Sequence, residues 1–280
     1  MSVSPPRKTL YLKVPVERKP LSITKLLGVS TAVIIAVVMV VLLLLLTSGQ
    51  SLGPFGTTTT QATTVPLTTT PTTTQATTAP SYSVHHEWRY EGIRWTYDAE
   101  IPRETYEYFS NKPRVSYYSE YVDNPADDVW MEKLAHLFVE EAEKKGWGEF
   151  ETVSFVLAFV QSWPYTSDDV TKGYDEYPRY PVETIVDGGG DCEDMSILFS
   201  SIVRGMGYGT VLLKLEEDDH MAVGVLISQE IVNNWNQHYP LTYYTSNGKI
   251  YAYCETTGEG WELGHRPEDL KSTSARLIFI

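Results

Sequence analysis

Three regimes of hydrophobic patterning follow one another along the chain. From Leu26 to Leu46 no residue is charged and nearly all are apolar. A helix of that length rises roughly 31 Å, the thickness of a bilayer's hydrocarbon core. Residues 26–47 are therefore predicted to form one transmembrane helix. A cleaved signal peptide would have a shorter apolar run and a small-residue cleavage site. From residue 48 to 82 the apolar pattern stops. The stretch 57–79 holds 14 threonines interleaved with Pro66, Pro71, Gln61 and Gln75, too little apolar surface to bury, which predicts a disordered or extended stalk open to O-glycosylation.

Periodic patterns resume in residues 83–280, about 200 residues rich in Trp and Tyr and ample for one core. Between Glu87 and Glu100 bulky residues (Trp88, Tyr90, Trp95, Tyr97) recur at even spacing around Gly92, predicting a strand or hairpin. Asn124-Pro125 opens an amphipathic helix with Asp127 and Asp128 in its first turn and Lys144-Lys145-Gly146 at its end. Phe155 to Trp163 is apolar all round, as in a buried helix, and Pro164 stops it. Tyr165 to Pro181 reads as a long polar and aromatic loop of the kind that often binds ligands. Gly188-Gly189-Gly190-Asp191 then feeds a helix that begins at Cys192 and runs to Gly205 and Gly207. Strands are expected at Tyr208–Leu215, Met221–Ile227, Ile250–Cys254 and Ala275–Ile280. Helices first and strands later imply an α+β domain with an antiparallel sheet.

Charge adds direction. Residues 1–25 carry six cations against Glu17, and no Lys or Arg lies between Lys25 and Arg89. The positive-inside rule then makes 1–25 a cytoplasmic tail and places everything after the span outside, in a single-pass membrane protein. The remaining 16 cations and 35 anions belong to residues 81–280, a net charge of −19. Such a domain repels nucleic acid and anionic lipid headgroups, so the bilayer contact is confined to 26–47.

Candidate chemistry centres on the cysteines. Cys192 and Cys254 are the only two, and a disulfide between them is the structural alternative to catalysis in an oxidising compartment. Period-two alternation sends Cys254 to the opposite strand face from Glu255, which argues against that bridge. A helix N-terminus aims free N–H groups at a thiolate, so Cys192 is expected to have a lowered pKa. The glycines before it are expected to leave room for a substrate. A thiolate mechanism also needs an imidazole and a group that fixes the ring's tautomer. His220, which begins a strand, and Glu255, which ends one, are the best placed. Gln161 is a candidate oxyanion donor, with a polar helix ending before Pro164 as the plain alternative. Trp163, Tyr165, Tyr180 and Gly190 are expected to line the substrate path.

In combination, Gly190-Asp191-Cys192-Glu193-Asp194, His220-Met221-Ala222-Val223 and Glu255-Thr256-Thr257 with Gly260-Trp261 and Gly264 resemble the transglutaminase-like superfamily in its archaeal, membrane-anchored form. Gln161-Ser162-Trp163-Pro164-Tyr165 and Tyr180-Pro181-Val182-Glu183-Thr184 extend the resemblance over about residues 85–265. It implies a papain-like α+β fold and acyl transfer through a thioester. Cys192 matches the nucleophile, His220 the base and Glu255 the orienting acid, where many members have Asp. Acids at the positions of Asp191, Glu193 and Asp194 bind calcium in bacterial peptidases of this kind. Here capping and the helix dipole explain them as well, so no cofactor is required and calcium is an option. The reading expected is a cysteine peptidase or amidase acting on a protein or peptide substrate at the cell surface. A protein-crosslinking transglutaminase and a non-catalytic surface binding module are its alternatives.

Overall fold

The computed structural model describes residues 7–12, 80–168 and 177–280. The chain divides into two units, residues 1–14 with 78–280, and residues 15–77. The second unit, with the expected span 26–47 and most of the stalk, lies outside the described residues. So do residues 169–176 of the long loop. Among the described residues no helix is long and apolar enough to cross a membrane.

The described unit is α+β. Strands β2 (Ser81–Tyr90) and β3 (Ile93–Pro102) form an antiparallel hairpin. Its tight turn is Glu91-Gly92, both at positive φ, the geometry that matches strand twist and that glycine tolerates. The alternating bulky residues turn Trp88, Trp95 and Tyr97 onto Phe138, Phe155 and Phe159 of the helix layer. Helices α1 (Arg103–Ser110), α2 (Ser119–Val122), α3 (Pro125–Lys145), α4 (Glu149–Gln161), α5 (Pro181–Asp187) and α6 (Cys192–Gly205) follow. Asn124 caps α3 through Ala126 N–H at 3.2 Å, and Gly146 ends it in the left-handed conformation.

Strands β4 (Thr210–Leu215), β5 (His220–Ile227), β6 (Tyr243–Ser246), β7 (Lys249–Cys254) and β8 (Arg276–Phe279), with α7 (Gln229–Asn233) after β5, complete the unit. The five strands form one sheet in the order β6-β7-β5-β4-β8, every pair antiparallel. Helix α6 is the axis of the fold: Cys192 to Val203 are all buried. Its apolar side chains share a core with Met221, Val223 and Val225 of β5 and with α3 and α4. Val211, Leu213, Ala222 and Tyr253 form a second core on the sheet's other face.

Strand β1 (Arg7–Leu12) was not expected. It pairs in parallel with β3, Arg7 opposite Arg94 through Leu12 opposite Ala99. This pairing and a single membrane crossing by 26–47 are mutually exclusive in one molecule, because the crossing would place residues 7–12 and β3 on opposite sides of the bilayer.

Candidate active site

Three elements converge at one end of α6. Asp191 is its N-cap, accepting from Asp194 N–H at 3.5 Å, and Cys192 is the first helical residue. Two of the three glycines ahead of it are needed for close packing. Gly188 ends α5 in the left-handed conformation. A Cβ on Gly189, at φ +146, would strike the Pro164 carbonyl, and one on Gly190 would strike the Asp194 carboxylate. That close approach lets Thr166 N–H donate to Gly190 O at 2.8 Å, fastening residues 164–166 beside the cysteine.

His220 opens β5 and Glu255 follows the end of β7. The register sets Val223 opposite Cys254, which places Ala222 opposite Glu255 and His220 one step along on the same face. His220 Nε2 lies 3.1 Å from both Glu255 oxygens. Glu255 also accepts from Tyr253 Oη at 2.6 Å, Thr257 N at 3.0 Å and Thr257 Oγ1 at 2.6 Å. Burial alone would raise this carboxyl, but His220, Thr257 and Tyr253 together hold it below the ordinary carboxylate range. With Nε2 directed at the carboxylate, its proton belongs on that nitrogen and Nδ1 is the basic one.

The cysteine departs from expectation in two ways. Its Sγ donates to Glu193 Oε2 at 3.4 Å, and no hydrogen bond joins it to the imidazole. Its thiol is pushed up, chiefly by burial, then by the charge of Glu193, while the Met221 backbone N–H on the sulfur pulls the other way. Burial first, with the charges of Glu193 and Asp191 added to it, raises the thiol despite its place at the helix N-terminus. The sulfur meets β5 through the backbone N–H of Met221, the residue after His220. Ser196, one turn along α6, holds helix to strand through Met221 O at 3.2 Å and Thr256 Oγ1 at 3.0 Å. Both cysteines are free thiols. Cys254 faces away from Glu255, as the alternation predicts, and that face is the helix-facing core it shares with Cys192, where the two sulfurs are unbonded.

Gln161 is not an oxyanion donor. Its Nε2 gives its hydrogens to Glu255 O and Trp261 O, each at 2.7 Å, and its Oε1 takes Gly260 N–H at 3.2 Å. Buried among backbone groups, it clamps the segment that carries Glu255. Replacing it with leucine strands three backbone groups at about 1 kcal/mol or more each, so Gln161→Leu should lower Tm by roughly 6–12 °C in a thermal melt. An unchanged Tm would remove the clamp.

Other assignments also move. Trp163 is 6% exposed and stacks on His86 with ring centroids 3.7 Å apart. Tyr180 is 1% exposed and packs on Phe109 and Tyr121. Both are packed into the core. Tyr165, 59% exposed, bridges to Gly190, two residues before Cys192. Burial of its hydroxyl, then the charges of Cys192, Asp191 and Glu193, push it up to about 12. Two cavities of about 630 and 530 Å³ lie elsewhere, and none of Cys192, His220 and Glu255 lines them.

The acids around Cys192 separate into two groups. Glu193 turns to the sulfur and to Asp191. Asp191 is pushed up to about 8, by burial first and then by Glu193. Asp194, raised by burial and Asp191 but restrained by Arg179, stands at about 7. The convergent carboxylates are Asp168, Asp191 and Asp194, so Asp168 takes the place expected for Glu193. Tyr253, Thr257, Ser196 and Arg179 were not singled out as site residues in the sequence. Only Ser196 carries a local signal, a lone hydroxyl four residues after Cys192 on the same helix face.

No protein-family profile matches the chain, and no curated protein matches it. Among solved structures, EGTA-treated LapG of Legionella pneumophila is similar over 54% of this chain and 78% of its own, with 16% identity and a TM-score of 0.32. A second LapG structure gives 54%, 74%, 16% and 0.30. The calcium-bound form gives 48%, 91%, 19% and 0.28. Scores of this size establish neither family nor function, and the chemistry rests on the side chains.

Proposed function

We propose that this chain is a thiol-dependent acyl-transfer enzyme that hydrolyses peptide or amide bonds of a protein substrate. The observation that carries the reading is the His220–Glu255 pair, at 3.1 Å, set one residue from the backbone N–H that contacts the Cys192 sulfur. In the reaction the thiol gives its proton to His220 Nδ1 as the sulfur leaves Glu193 and attacks the substrate carbonyl carbon. The Cys192 N–H, in the first turn of α6 where no helical acceptor exists, is the proposed donor to the oxygen that gains charge. The tetrahedral species expels the amine, which takes the proton from His220 and leaves a thioester. Water, deprotonated by His220, then releases the acid and restores the thiol. Glu255 holds the ring and balances its positive charge throughout.

The acidic domain, net −19 over residues 81–280, favours neutral or basic polypeptides and disfavours nucleic acid. Anchorage through 26–47, with the domain outside the cell, belongs to the same proposal and rests on the uncharged run and the basic tail. In that arrangement residues 7–12 leave β3.

The thiol's bond to Glu193 favours a second reading, a binding module whose cysteine is inert. Incubating the full chain with casein and a fluorescent primary amine separates the alternatives. Hydrolysis predicts new N-termini without fluorescence in the product. Fluorescent casein would point instead to crosslinking, and neither product, with Cys192 refractory to iodoacetamide even at alkaline pH, would leave only the binding module.

A further inference from the structure

Arg179 is 1% exposed and lies in the segment leading into α5. Its Nη1 donates to Asp168 Oδ1 at 2.7 Å and also to Asp194 Oδ2. Its Nε donates to Asp187 Oδ2 at 3.3 Å, and its backbone N–H to Asp194 Oδ1 at 2.6 Å. Tyr177 N–H takes the second oxygen of Asp168. One guanidinium thus ties the end of the 165–168 segment and the C-terminus of α5 to the first turn of α6, where Cys192 sits.

Two of these aspartates invite comparison with a metal site, since ligand oxygens of Asp168 and Asp194 lie with one of Asp191 within 4.8 Å of one another. Calcium takes six to eight oxygens at about 2.3–2.6 Å. Here both oxygens of Asp168 and both of Asp194 already accept N–H bonds. A divalent ion among them would face a guanidinium that does not deprotonate. Glu193 bonds to the sulfur and to Asp191 and is not one of the three convergent carboxylates. The donor set does not fit calcium while Arg179 is in place.

We propose that Arg179 is the resident cation of this cluster, holding the start of α6 in place of a divalent ion, so that the fold around Cys192 is indifferent to calcium. The planar fork suits the role, because it reaches three carboxylates from one buried side chain. This inference concerns the stability of the α6 start and stands or falls independently of the peptidase reading, since its readout is melting rather than turnover.

The test is thermal melting of the full-length wild type and of Arg179→Met, each in calcium chloride and in EGTA. The wild type should melt at one temperature in both. Arg179→Met should melt roughly 10 °C lower, having lost one partner of a buried ion cluster. Calcium should then restore several degrees of that loss, because the vacated oxygens become ligands. A wild-type Tm that rises with calcium and falls in EGTA overturns the proposal, and so does an Arg179→Met protein that melts low and ignores calcium. If Arg179→Met does not accumulate, Arg179→Lys, which keeps the charge, must remain indifferent to calcium, and a calcium-dependent rise in its Tm refutes the assignment.

Discussion

Replacing Cys192 with alanine is expected to lower kcat/KM for peptide hydrolysis by roughly 10,000-fold or more, the scale seen when a covalent nucleophile is removed from a working triad. The other sulfur offers no substitute. Cys254 is wholly buried with its Sγ directed at the Ala252 carbonyl, and burial pushes its thiol well above the ordinary range. Cys254→Ala should therefore leave hydrolysis intact, although it opens a small void. Because the resting Cys192 thiol is bonded to Glu193 and pushed up, its alkylation by iodoacetamide should be slow at neutral pH and accelerate toward alkaline pH. Hydrolysis by Cys192→Ala at the wild-type rate would end the thiol mechanism.

Glu255→Gln should cost nearly as much in turnover, roughly 100- to 10,000-fold in kcat, by analogy with the same carboxylate-to-amide exchange in serine triads. An amide at 255 offers an N–H to Nε2 and so favours the wrong tautomer, with the proton on Nδ1 where the thiol's proton must go. It also loses the charge that balances the imidazolium. The substitution is nearly isosteric, so much of the network from Tyr253 and Thr257 survives and the protein should remain folded. Its signature is a fall in kcat with little change in KM, measured from initial rates across substrate concentration. A kcat within a factor of two of wild type would exclude Glu255 from the mechanism.

The same carboxylate sets a pH dependence of stability. Its folded pKa is depressed, so its contribution is complete above the unfolded value of about 4.3 and is lost as pH falls through the folded value. In Glu255→Gln that acid-dependent loss disappears, so the variant's Tm should fall less steeply than the wild type's below about pH 4.

What the chain makes legible by itself is local. The hairpin around Gly92 was readable because period-two alternation and a turn residue occupy adjacent positions. Helix α3 was readable because its cap, its acidic first turn and its basic last turn all lie within its own residues. Helix α4 begins at Glu149, ahead of the expected Phe155, because its first turn is polar and only its later turns are buried all round. Helices α1, α2 and α5 and strand β1 carried too short a signal to stand out. The residues of the candidate triad, Cys192, His220 and Glu255, were legible as chemistry at element ends.

Only the tertiary structure decided what each polar group faces. Gln161 is spent on backbone carbonyls 94 and 100 residues away in the chain. Trp163 and Tyr180 are core residues, and the glycines before Cys192 accommodate Pro164 and Asp194. Arg179 meets Asp168 and Asp194, and burial, then the charges of Glu193 and Asp191, raises the thiol at the helix terminus. Periodicity and capping act between residues a few positions apart, and one sequence records them. Desolvation, charge pairing and hydrogen-bond saturation depend on which distant segments share a few ångströms of space, and packing around α6 sets that.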